Sequence, residues 1–283
     1  MKIIECPRDA MQGIKEFIPT KKKIAYINQL LNVGFHTIDF GSFVSEKAIP
    51  QLKDTDEVLS GLDLSTTSSK LLSIIANIRG AESACNFKEI NYLGFPLSVS
   101  DEFQKINTNK SISESLNIVE EIQNLSVKNN KELVVYLSMA FGNPYEENYH
   151  PDIVAELTGK LHNLEVSIVA LSDTIGVSNP TNISPLFNTV ISEYPTIEFG
   201  AHFHTTPDKW EEKVDAAYQN GCKRFDSAIK GFGGCPMAKD DLVGNMPTEN
   251  LITFFKSKGI ELSLDNSVFE RIVNNMSTYF KLN

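Results

Sequence analysis

Short apolar runs rich in β-formers alternate with amphipathic stretches along most of the chain. Lys2–Cys6 predicts a strand, and Thr20 predicts the cap of a helix striped by Ile24, Ile27 and Leu31 and ended near Gly34. Phe35–Phe40 predicts a second strand, and a helix is expected from Ala48 to about Leu59. Lys70–Ala76 and Glu89–Leu97 read as strands, with a short helix over Gly80–Phe87 between them. Ser111 and Glu114 form a capping box that opens a helix striped by Leu116, Val119, Ile122 and Leu125. Glu132–Met139, Glu165–Leu171, Ile197–His202 and Lys223–Ser227 predict four more strands. Helices over Asp152–Leu161, from near Pro180, over Pro207–Gln219 and from Pro247 follow them in turn, and Ser267–Phe280 predicts a terminal helix.

This amounts to eight strand–helix units. Buried runs alternating with amphipathic helices predict parallel strands. Eight units in this length predict a (β/α)8 TIM barrel with an extra C-terminal helix, spanning residues 1–283 as a single catalytic domain. An open doubly wound sheet is the alternative, but no glycine fingerprint follows the first strand. A hydrophobic content of 41% and a charged content of 22% are ordinary for a soluble globular chain. The net charge of -10 argues against nucleic acid, whose phosphates need a basic face. Cys6, Cys85, Cys222 and Cys235 have no CxxC spacing and read as reduced thiols. With no signal-like N-terminus and no membrane-length apolar run, the expected location is cytoplasmic.

In such barrels chemistry gathers at the C-terminal ends of the strands. Arg8 and Asp9 follow the first strand, and Asp39 and Ser42 lie at the end of the second. Asp173 follows the sixth, and the seventh ends in His202-Phe203-His204. Cys235 and Asn245 come after the eighth. His202 and His204, two apart on a strand, face one side. With Asp9 and Asn245 they offer a mixed nitrogen and oxygen donor set suited to Mg²⁺ or Mn²⁺, with Zn²⁺ still open. Arg8 and Asp9 are adjacent, so both can face the site only if they leave the strand. Asp39 and Asp173 have structural readings as well, as helix caps or as orienters of neighbours. Gly231-Phe232-Gly233-Gly234-Cys235-Pro236 is a bendable loop carrying a thiol. Lys21-Lys22-Lys23 reads as the solvated face of the first helix, and His36, His150 and His162 as ordinary surface or strand residues.

These positions resemble a 3-hydroxy-3-methylglutaryl-CoA lyase of the DRE-TIM metallolyase group. The resemblance runs through Pro7-Arg8-Asp9-Ala10-Met11-Gln12, Ile18-Pro19-Thr20, Ser42-Phe43-Val44-Ser45 and Ser172-Asp173-Thr174-Ile175-Gly176-Val177. It continues through His202-Phe203-His204, the Gly231–Pro236 loop and Gly244-Asn245. It implies that Asp9, His202, His204 and Asn245 hold a divalent ion, Mg²⁺ or Mn²⁺. It further implies that Arg8, Cys235, His202, Asp173 and Asp39 serve the chemistry, with Arg8, Gln12 and Ser42 binding substrate. Asp39 stands where such lyases usually carry glutamate, Ala10 replaces a common glycine, and Thr205 stands where aspartate is frequent. The span from Cys235 to Asn245 is one residue longer than in a lyase of this family.

The implied reaction is retro-Claisen cleavage of a CoA thioester to acetyl-CoA and acetoacetate, as in leucine degradation and ketone-body formation. Arg8 would stabilise the enolate and Cys235 would protonate it. The expected partner is the CoA-thioester substrate, with no nucleic acid and no membrane, and a homodimer is compatible with the chain. Competing readings are a condensing isopropylmalate or homocitrate synthase, a 4-hydroxy-2-oxo acid aldolase, and a catalytically silent scaffold barrel.

Overall fold

The computed structural model describes residues 1–234 and 243–279. Eight parallel strands, β1 (Lys2–Glu5), β2 (Thr37–Phe43), β3 (Lys70–Ile75), β4 (Ile90–Ser98), β5 (Glu132–Ser138), β6 (Ile168–Asp173), β7 (Glu198–Thr205) and β8 (Arg224–Ser227), run in sequence around the sheet. Pairing of β1 with β8 and of β6 with β7 closes the sheet into the expected barrel. A two-residue strand, β9 (Gly244–Asn245), adds antiparallel to β7. The helices are α1 (Pro7–Gln12), α2 (Thr20–Leu31), α3 (Thr55–Ser60), α4 (Ile78–Cys85), α5 (Asp101–Thr108), α6 (Ile112–Lys128), α7 (Pro151–Asn163), α8 (Pro180–Glu193), α9 (Trp210–Gln219), α10 (Thr248–Ser257), α11 (Asn266–Asn274) and α12 (Met276–Tyr279).

Strand alternation divides the core in two. Outward side chains such as Ile38, Phe95, Val135, Leu171 and Phe225 join the helices in one continuous apolar layer. Inward ones, Leu72, Ile74, Val134, Tyr136, Ile168 and Ala170, form a small cluster inside the barrel. Polar and charged residues, among them Asp39, His202, His204, Arg224 and Asp226, share the interior with them. Among the described residues, no helix is long and apolar enough to cross a membrane.

Local chemistry explains where the elements differ from expectation. Thr20 is the first helical residue rather than the cap, which falls on Pro19, and its hydroxyl donates to Asp54. The helix expected over residues 48–59 is split into a 3-10 turn at Pro50–Leu52 and α3. Gln51, within the 3-10 turn, is held by bonds to Ile14 O, Glu16 O and Ile18 N. Lys23 is not solvated: it is buried, with its ammonium 2.6 Å from Asp54 Oδ1. β2 runs on past Phe40, with a register shift between Asp39 and Gly41. The terminal helix breaks at Asn275, and Phe280 lies outside the described residues.

Glu5 ties β1 to the start of α10. Its buried carboxylate accepts from Thr248 Oγ1 at 2.6 Å and from Ile229 N at 3.0 Å. Burial pushes its pKa up to about 8 against the pull of those two bonds. The unfolded chain therefore releases a proton that the folded chain keeps. The associated stability is full below the ordinary glutamate range and is lost as pH rises through about 8. Urea unfolding should show stability falling between about pH 5 and about pH 8, and Glu5→Gln should flatten that fall. An unchanged pH slope in Glu5→Gln would exclude Glu5 as its source.

Candidate active site

β1 ends at Glu5, and Pro7 opens α1 immediately, since its fixed φ and missing N–H suit a first helical turn. This is how Arg8 and Asp9 leave the strand and both become buried at the barrel mouth. Arg8 Nε and Nη2 donate to Asp39 Oδ2 at 3.0 and 2.6 Å, while Nη1 donates to Gln12 Oε1 at 3.0 Å. Gln12 Nε2 in turn donates to Asp9 Oδ1. Burial works against the Arg8 charge, but Asp39 and Asp9 more than offset it and raise its pKa.

The two histidines of β7 are each held from behind. His202 Nδ1 lies 3.1 Å from Asp226 Oδ2, and His204 Nδ1 lies 2.9 Å from the carbonyl of Thr174. These acceptors call for a proton on each Nδ1 and leave each Nε2 with a lone pair. His202 Nε2 faces Asp9 Oδ2 at 3.6 Å. His204 Nε2 is buried and has no hydrogen-bond partner among the described residues. One donor atom from each of Asp9, His202 and His204 lies within 4.8 Å of the others. Burial disfavours the Asp9 carboxylate, but Arg8, both histidines and a bond from Asn245 hold it below its ordinary range.

Strand pairing brings Asn245 beside this group, since β9 sets it opposite His204. Its side-chain amide also donates to Phe232 O at 2.8 Å. Asp9, His202, His204 and Asn245 thus converge, a mixed nitrogen and oxygen donor set of the kind that holds a divalent cation. A second grouping, Cys6–His202–Asp226, shares His202. Burial and the nearby carboxylates push the Cys6 thiol up, so it keeps its proton and is a poor ligand.

The donors open into a cavity of about 490 Å³ lined by Arg8, Asp9, Gln12, Tyr136, His202, His204 and Gly234, among others. Asp39 stands behind Arg8, fully buried, with Oδ1 unpartnered among the described residues. Burial pushes its pKa up to about 6 against the pull of Arg8. Ser42 lines an adjoining cleft of about 710 Å³ instead, which meets the first cavity at Val44. Asp173, expected in the catalytic set, has its carboxylate engaged by neighbours. It accepts from Lys213 Nζ at 2.8 Å and from Ser178 N and Oγ, and it does not line the cavity. The alternation of β6 points Ser172 inward and Asp173 out to the helix layer. Cys235 lies outside the described residues. Sequence reasoning missed Asp226, Lys213 and Tyr136. The Arg224-Phe225-Asp226 alternation, charge on the inward face of a buried strand, was a usable signal for the first.

A family model described as HMGL-like matches residues 2–275. The chain belongs to the HMGL-like family. Like that metal-dependent family as a whole, this HMGL-like chain has a donor cluster that could hold an ion. It is 33% identical to rat cytoplasmic 3-hydroxy-3-methylglutaryl-CoA lyase over 94% of its length and 77% of the relative. It is also 33% identical to a Bacillus subtilis hydroxymethylglutaryl-CoA lyase, over 91% of the chain and 85% of the relative. The HMG-CoA lyase structure from Brucella melitensis superposes with a TM-score of 0.92 at 28% identity, covering 99% of both chains. That from Acinetobacter baumannii, in complex with coenzyme A and 3-methylmalate, gives 0.90 at 31% identity, covering 99% of this chain and 90% of that one.

Gly233 packs against the backbone of Asp9 and the side-chain amide of Asn245. At its φ of +87°, an added Cβ would lie 2.6 Å from Asp9 O and 2.7 Å from Asn245 Nδ2. Gly233→Ala must therefore displace one or both. Calorimetry with Mn²⁺ should show affinity weakened about tenfold or more, a loss of the size seen when partners around ligands are disturbed. Unchanged affinity would separate ion binding from this loop.

Proposed function

We propose that this chain cleaves 3-hydroxy-3-methylglutaryl-CoA to acetyl-CoA and acetoacetate with the help of one divalent cation, Mg²⁺ or Mn²⁺. The observation that carries the reading is the convergence of Asp9 and two histidine Nε2 atoms, each histidine fixed through its other nitrogen. The unpartnered, buried Nε2 of His204 fits a missing ligand partner. Asp9, His202, His204 and Asn245 would hold the ion, and the ion would supply Lewis-acid polarisation of the substrate's oxygens.

The chain's own groups divide the remaining work. Asp39 is fully buried behind Arg8 and does not line the cavity, so it acts by holding the Arg8 guanidinium in place. Arg8 grips Oδ2 twice and leaves Oδ1 without a partner among the described residues, and burial raises the Asp39 pKa to about 6. The Arg8 guanidinium is held against Asp39, Gln12 and Asp9 before substrate arrives. That preorganisation suits it to the negative charge that develops on the thioester oxygen as the carbon–carbon bond breaks. Gly234 lines the cavity, and Cys235 follows it in the sequence. We assign to Cys235 the protonation of the enolate carbon, on the strength of the family resemblance. The adjoining cleft carries Lys47, Lys53 and Arg79, cations suited to the phosphates of a CoA tail.

The test is a product assay with 3-hydroxy-3-methylglutaryl-CoA. Acetyl-CoA and acetoacetate should form in equal amounts, chelator should stop the reaction, and Mg²⁺ or Mn²⁺ should restore it. Full turnover without divalent ions, or no cleavage with them, would reject the reading. Arg8→Gln should lower kcat by about 10²–10³-fold with little change in KM. An effect confined to KM would reduce Arg8 to a binding group.

A further inference from the structure

Below the donor cluster, the barrel interior holds a row of charges, partly exposed at Lys2 and Glu198 and buried at Arg224 and Asp226, that apolar packing does not explain. Lys2 pairs with Glu198, and Glu198 Oε1 lies 3.5 Å from Arg224 Nη1. Arg224 is fully buried, and its guanidinium carbon stands 5.8 Å from the centre of the Tyr92 ring. Asp226, two residues further along β8 and on the same inward face, bonds His202 through Oδ2. Tyr136, on β5, sets its ring edge-on to His202 at 5.7 Å.

Four atoms of these residues are buried and unpartnered among the described residues: Arg224 Nε and Nη2, Tyr136 Oη and Asp226 Oδ1. Two are donors, one is an acceptor, and the hydroxyl can be either. Buried groups of this kind are rarely left unsatisfied, and their complementary roles point to a shared partner. A polar pocket with three or more such groups is where proteins keep internal water. The barrel also makes room for them. An added Cβ at Gly200 would lie 3.0 Å from Arg224 Cδ, and one at Gly94 would lie 3.1 Å from Tyr136 Cε2. The groups feel one another electrostatically. Burial opposes the Arg224 charge, and Asp226 is foremost among the neighbours that favour it.

We propose that ordered water bridges Arg224, Tyr136 and Asp226 inside the barrel, and that through this bridge Arg224 is a positioning residue for the Asp226–His202 pair. The bridge fixes Oδ1 of Asp226, so that Oδ2 meets His202 Nδ1 and turns Nε2 toward Asp9. For its consequence on ion binding, the inference rests on the proposed metal site.

Two measurements test it. A high-resolution crystal structure of the unmodified chain should show a water within hydrogen-bond distance of Asp226 Oδ1 and of Arg224 Nε or Nη2. A dry gap, or direct Arg224–Asp226 contact, overturns the bridge. Mn²⁺ titration of folded protein should show affinity weakened about ten- to a hundredfold in Arg224→Met and in Asp226→Asn, with much of the loss recovered in Arg224→Lys. A merely structural Arg224 would lower the melting temperature and leave Mn²⁺ affinity unchanged, which overturns the positioning role. Should Arg224→Met fail to fold, Arg224→Lys and Asp226→Asn carry the titration. Absence of Mn²⁺ binding by the unmodified chain counts against the proposed function instead, and the water is still judged from its own density.

Discussion

The site depends on two hydrogen bonds made away from it. His202 Nδ1 is tied to Asp226 and His204 Nδ1 to the Thr174 carbonyl. An imidazole free to rotate would offer either nitrogen; these two offer only Nε2, both toward the Asp9 side. Much of the surrounding structure serves those bonds. Lys213, buried behind β7, binds His204 O, Gly176 O and Asp173 at once. It thereby pins the turn that presents Thr174. Its pair with Asp173 is part of that support.

Environment separates the carboxylates into roles. Asp9 faces Arg8, two histidines and Asn245 and is held as an anion. Asp39 shares Arg8 with Asp9, but burial dominates there and lifts it to about 6. Two like groups pushed apart in this way take different charge states in one small volume.

The barrel was legible because parallel strands buried on both faces read as continuous apolar runs, and the intervening helices keep their stripe. His202 and His204 were legible for the same reason in reverse, as polar residues where a strand ends. Other features were hidden by physics that leaves no local pattern. Arg8 and Asp9 were found, but the helix that carries them was not, because it has only six residues, begun by Pro7. β9 has two residues and exists only through its pairing with β7, so the route that brings Asn245 to His204 is tertiary. Lys23 looked solvated because a sequence does not show the partner, Asp54, that takes the charge inward.

In the proposed function, one ion would be held by Asp9, His202 and His204 through the two Nε2 atoms. Anomalous diffraction from crystals soaked in Mn²⁺ measures this. One strong peak is expected at bonding distance from Asp9 and from Nε2 of both histidines, with Asn245 beside it. A peak on the Cys6–Asp226 side of His202, or no peak in the barrel at saturating Mn²⁺, would overturn the assignment of these ligands.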